Sequence, residues 1–92
     1  MFEWDENKND LNYEKHHVYF ELAELLFESR MVIVEDDRFD YGEKRYIGYG
    51  EIKSRCYVIA YTKRNDLIRV ISLRKSNARE TKAYREKLKE CK

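Results

Sequence analysis

The stretch CYVIAYTKRNDLIRVISL, residues 56–73, decides the fold. Cys56 to Thr62 and Leu67 to Leu73 are rich in Val, Ile and Tyr, side chains that fit a pleated, half-buried surface. Lys63-Arg64-Asn65-Asp66 between them is short and polar, so the two runs predict the strands of one antiparallel hairpin. Just upstream, Arg45 to Gly50 alternates weakly as another strand, with Gly48 expected to mark a bulge. The β-branched run Met31-Val32-Ile33-Val34 is a further strand, and the acidic, polar Glu35 to Glu43, with Gly42, is a loop.

Further out the period changes. Val18 to Phe27 predicts a helix, with Phe20, Leu22, Ala23, Leu26 and Phe27 as its apolar stripe and Glu21, Glu24 and Glu28 opposite. Phe2-Glu3-Trp4 predicts a short strand, after which Asp5 caps a helix over residues 6–16. That helix has few apolar groups and must lean on its neighbours through Leu11 and Tyr13, while Lys8, Asn12, Lys15 and His16 share a face. At the other end, Asn77 with Glu80 has capping-box spacing and opens a last helix. Its Ala78, Thr81, Tyr84, Leu88 and Cys91 step by three or four, so one side packs on the sheet. The expected order is β-α-α-β-β-β-β-α. This is an α+β domain over residues 1–92, an antiparallel sheet of about four strands against two N-terminal helices and one C-terminal helix, all on one face.

Composition excludes several classes. Ninety-two residues hold one core and no second domain. Hydrophobic residues at 42% and aromatics at 14% are too many for a disordered chain. No apolar run is long enough for a membrane helix, and no signal segment opens the chain, so a cytoplasmic protein is expected. Cys56 and Cys91 have neither a disulfide-framework nor a zinc pattern and are expected as thiols, a single disulfide between them being the other reading. The net charge of +1 hides an asymmetry. Residues 1–46 hold 13 acidic and 6 basic side chains, for −7, and residues 47–92 hold 5 and 13, for +8. The second half can present an anion-binding field.

Several of these residues together resemble the BrnT toxins. Phe2-Glu3-Trp4-Asp5, Lys8, Asn12, Lys15-His16, Val18 and Phe20 are similar to the family's opening. Gly42-Glu43, Arg45, Gly48, Tyr61-Thr62, Arg64, Ile68-Arg69-Val70-Ile71-Ser72, Arg74, Arg79-Glu80 and Tyr84 match its second half. The resemblance implies a RelE-like fold and a ribonuclease toxin that arrests translation. It also implies a cognate BrnA-like antitoxin with a ribbon-helix-helix segment, through which alone the complex would meet operator DNA. Two departures stand out: His17 where the family usually has glycine, and Tyr19 where it usually has a small polar residue. Glycine there would suit a left-handed helix end.

Such a nuclease, working without a metal or other cofactor, uses the ribose 2′-OH as nucleophile on the adjacent phosphate. It needs a base, an acid for the leaving 5′-oxygen, and cations aimed at the phosphorane. Arginine suits the last role and is a poor base. The proposed catalytic set is His16, Glu43, Arg64, Arg74 and Tyr84, with Lys15, Arg45, Arg69, Lys75 and Arg79 binding RNA. Each has a structural reading too. Arg64 could be a solvated turn residue, Arg69 half of an ion pair, His16 a helix cap, Glu43 a loop acid facing water, Glu80 only a capping group and Tyr84 core. Tyr46, Tyr49, Tyr57 and Tyr61, at strand spacing, read as core or edge packing before base stacking. Arg69 and Arg74 are five positions apart, so unless a bulge intervenes a regular strand turns them to opposite faces and favours Arg74 for the site. A non-catalytic RNA- or protein-binding module of the same fold is the alternative. Arginines scattered over the molecule, or each locked to its own carboxylate, would favour it.

Overall fold

A computed structural model describes residues 1–90, so the expected helix position Cys91, and any bond from it to Cys56, lies outside the described residues. Strand β1 is Phe2–Glu3, helix α1 Glu6–His16, a 3-10 turn Phe20–Leu22 and helix α2 Ala23–Glu28. Strands β2 Val32–Asp36, β3 Arg45–Ile52, β4 Arg55–Arg64 and β5 Leu67–Lys75 follow, and helix α3 spans Ala78–Glu90. The sheet has five strands in the order β1-β5-β4-β3-β2. Four are antiparallel neighbours, as expected; β1 is the fifth and pairs parallel with β5, Phe2 beside Ile68 and Glu3 beside Arg69.

The central hairpin turns at Asn65-Asp66, and β3 meets β4 at Lys53-Ser54. All four turn residues have positive φ, between 49° and 69°, the backbone that a two-residue turn between right-twisted strands requires. Gly48 is not a bulge, since β3 runs in unbroken register with β4. It is a close approach: a Cβ there would lie 2.5 Å from Met31 Cε and 3.2 Å from Ile59 Cγ2. The bulge is in β5, where Ala60 pairs with Ser72 but Tyr61 with Val70, leaving Ile71 as the extra residue.

One side of the sheet carries the main core, in which Ile59, Tyr61, Val70 and Leu73 meet Val18, Phe20, Ala23 and Leu26. The expected helix over 18–27 is shorter, because Val18 and Tyr19 precede the 3-10 turn in extended backbone and only residues 23–28 are α-helical. Helix α1 has almost no apolar moment and is held by two buried asparagines. Asn12 bonds both the N–H and C=O of Leu73, at 3.3 and 2.7 Å, and the C=O of Val18 at 2.8 Å. Its amide thus stands in for a missing strand beside β5. Asn9 accepts from Phe20 N at 2.7 Å and donates to Glu21. Asp5 caps α1 as predicted, accepting from Asn7 N and Lys8 N.

The expectation of all helices on one face is corrected. Tyr84 of α3 lines one pocket with Val32, Val34 and Tyr49; Tyr49 alternates with Gly48 and Gly50, and Val32 and Val34 pair with Tyr49 and Ile47, so this side faces away from α2. The capping box forms, Glu80 N donating to Asn77 Oδ1 at 2.8 Å and Asn77 N to Glu80 Oε1 at 2.9 Å. Helix α3 then lies across the far end of the second face.

Candidate active site

That second face is built in rows. On β4, Val58, Ala60 and Thr62 look away from the main core, and their partners on β3 and β5 flank them. The rows are Tyr49–Val58–Arg74, Ile47–Ala60–Ser72 and Arg45–Thr62–Arg69. The outer two lie four residues apart, roughly 13 Å along the strand. The bulge at Ile71 returns Arg69 to the face of Arg74. The expectation that the two point apart held only for a regular strand, and the bulge is the exception to it.

At one end, Arg74 forks onto Glu80, Nη1–Oε1 at 2.9 Å and Nη2–Oε2 at 2.8 Å, and Nη1 also reaches the C=O of Lys75. The pair raises the Arg74 pKa and holds the Glu80 carboxyl below its usual range. Three of the five N–H donors of Arg74 are thus engaged, which leaves two for a ligand. The pair borders a cavity of about 230 Å³ with Ile47, Val58 and Ala60 as floor, and Tyr49, Ser72 and Arg38 as walls. Ser72 is also the rim of a shallow depression on the α1 side, lined by Lys8, Lys15 and His16. His16 and Arg74 therefore flank the same strand residue. Partial burial, then the charge of Lys15, then that of Arg74 lower the His16 pKa, so its imidazole stays neutral to lower pH.

At the other end, Glu43 sits between Arg64 at 3.2 Å and Arg45 at 3.5 Å. One carboxylate shared by two guanidiniums leaves a positive surplus. Arg45 also lies 4.0 Å over the Tyr41 ring, and its buried Nε has no hydrogen-bond partner among the described residues. Arg69 is 3.5 Å from Glu3. The arginines share one face, yet each has a carboxylate beside it. Those at 3.2–3.5 Å are partly exposed contacts, of the kind worth about 0–1 kcal/mol, and a phosphate can compete for them.

Three of the expected residues are not brought into these clusters. Tyr84 is buried and its hydroxyl donates to the C=O of Arg30, which makes it core. Lys75 follows Arg74 and alternates to the other face. Arg79 lies on the flank of α3 toward Val32 and Val34. Sequence reasoning missed Arg38, which Asp36 grips at 2.8 and 3.0 Å and which reaches the Arg74 cavity from the β2–β3 loop. Arg38 and Tyr41 hold the Asp36 carboxyl at about 2, Arg38 being the main cause. The only signal was a lone arginine in an acidic loop. It also missed Tyr49 as a cavity wall, and Glu80 as partner to Arg74 as well as cap.

The family described as the ribonuclease toxin, BrnT, of type II toxin–antitoxin systems matches residues 4–80, most of the chain and every row of this face. No curated protein matches it.

Proposed function

This chain belongs to the BrnT family of ribonuclease toxins, and from that premise we propose that it cleaves RNA without a metal ion. The 2′-OH loses its proton to a ring nitrogen of His16 and attacks the adjacent phosphorus. Arg74 binds the oxygens on which charge grows, and the 5′-oxygen leaves with a proton taken from water. The products would carry a 2′,3′-cyclic phosphate and a 5′-hydroxyl. The observation that carries this is that His16 and Arg74 line two depressions sharing Ser72 as their common rim, with the guanidinium's charge helping to keep the imidazole neutral. Arg45, Arg64 and Arg69 grip the backbone further along, with Glu43 positioning the first two. Lys15 adds charge beside His16.

In the cell this reaction would arrest translation. A BrnA-like ribbon-helix-helix antitoxin would neutralise it by covering the same cationic face, and operator DNA would be bound by the complex alone. The test is RNA incubated with purified protein in chelator, beside Arg74→Ala. We expect the variant to be about 10²–10³ slower, the usual cost of removing one transition-state donor. Equal degradation by both proteins would remove Arg74 from the reaction, and loss of cleavage in chelator would remove metal independence. Because each arginine has a carboxylate beside it, a binding-only module is the second reading. It predicts salt-sensitive RNA binding with no new 5′ ends.

A further inference from the structure

Beyond the residues matched by the family, α3 carries Lys82, Arg85 and Lys89 at positions i, i+3 and i+7, one stripe about 10 Å long. Across from the stripe stands Arg55, at the start of β4. Between them runs a groove of about 650 Å³. We propose that this groove holds the sugar–phosphate backbone of RNA where it continues past the cleavage site. The inference rests on the nuclease reading and deepens it.

Three observations support it. First, all four cations are exposed, and only Glu86 among the lining residues opposes them. Arg85 is held at 3.0 Å by Glu51, which fixes its place at the groove wall. Second, the uncharged lining is small, with Ser54, Ser76, Asn77, Ala78 and Thr81 beside the charged groups. A protein segment would want apolar anchors in pockets, and the one cysteine here, Cys56, is buried. A phosphate chain needs only charge and donors. Third, the first turn of α3 is a wall common to both places. Asn77 lines the groove, Glu80 lines the Arg74 cavity, and the two are joined by the capping-box hydrogen bonds. A strand leaving Arg74 over that turn meets the groove next.

The probe is a 2′-O-methyl oligonucleotide, which binds without being cut, titrated at several salt concentrations against the full chain. In Lys82→Ala/Lys89→Ala two phosphate contacts are lost, and the slope of log K against log salt should become shallower by about 1.4. Both sites are exposed helix positions where alanine favours the helix, so the variant will fold. Lys87→Ala, on the opposite flank of α3, should leave the slope as it was. An unchanged slope in the double variant overturns the inference. So does an equal flattening per charge in Lys87→Ala, which would mean that only the general field acts. Loss of affinity for polyglutamate with an unchanged RNA slope would reassign the groove to an acidic protein and likewise overturn it. Cleavage of a ribodinucleotide by the wild type, too short to reach the groove, reports on the nuclease reading separately.

Discussion

His17 closes α1 in left-handed backbone, with φ 61° and its N–H bonded to the C=O of Tyr13 at 2.7 Å. A side chain in that conformation costs roughly 1 kcal/mol relative to glycine. Part of the cost is offset by an edge contact with Tyr13, whose ring also stacks on Tyr19 at 4.2 Å. The two departures from the usual family pattern are thus one aromatic cluster. His17→Gly should stabilise the protein by up to about 1 kcal/mol, read as a Tm rise of up to about 4–8 °C for a chain of this size. A drop in Tm would mean that the cluster outweighs the backbone strain.

Helix α1 shows how an element with hardly any apolar face can be secured. Asn12 supplies three buried hydrogen bonds to the backbone of Leu73 and Val18. Asn12→Ala should therefore cost about 3 kcal/mol, since it leaves buried peptide groups without partners. Urea unfolding measures this, and a loss under 1 kcal/mol would show that water replaces the amide. Strands, the turn within Lys63–Asp66 and both helix caps were legible in the sequence because each depends on neighbours in the chain: Val-Ile-Tyr runs, Asp5 before a helix, Asn77 with Glu80. The parallel partner of β1 was not, because nothing near Phe2 names Ile68. Nor was the bulge, whose extra residue Ile71 looks like any other strand residue. That miss placed Arg69 on the wrong face. Arg74 and His16 were singled out as residue types suited to the chemistry, but that both flank Ser72 depends on α1 being clasped to β5 through Asn12, which no local pattern announces.

At the scale of the whole molecule, charge and core lie on opposite sides of one sheet. The helices α1 and α2 seal the apolar side, and the arginine rows occupy the other with α3 across one end. The pH response follows from His16. Its folded pKa lies below the ordinary 6.5, so the native state binds a proton less readily than the unfolded chain. Stability from this group is complete above pH 6.5 and declines as pH falls toward the folded value. With His16 as base, kcat/KM should likewise hold steady through pH 6.5 and fall only below it. His16→Ala should remove that limb together with about 10²–10⁴ of the rate. A limb that survives the substitution belongs to another group.

The two-residue strand at the start of the chain has a temporal side. Its partner is β5, and the Met1 carbonyl is closed by the N–H of Ile68. During synthesis Phe2 and Glu3 wait until Ile68 and Arg69 have left the exit tunnel before they can be paired. His16 waits still longer, until position 74 has emerged and the last strand is laid beside its helix. A nascent chain stopped short of that point lacks β5, so Asn12 of α1 has no Leu73 to clasp and helix α1 has no edge to lean on.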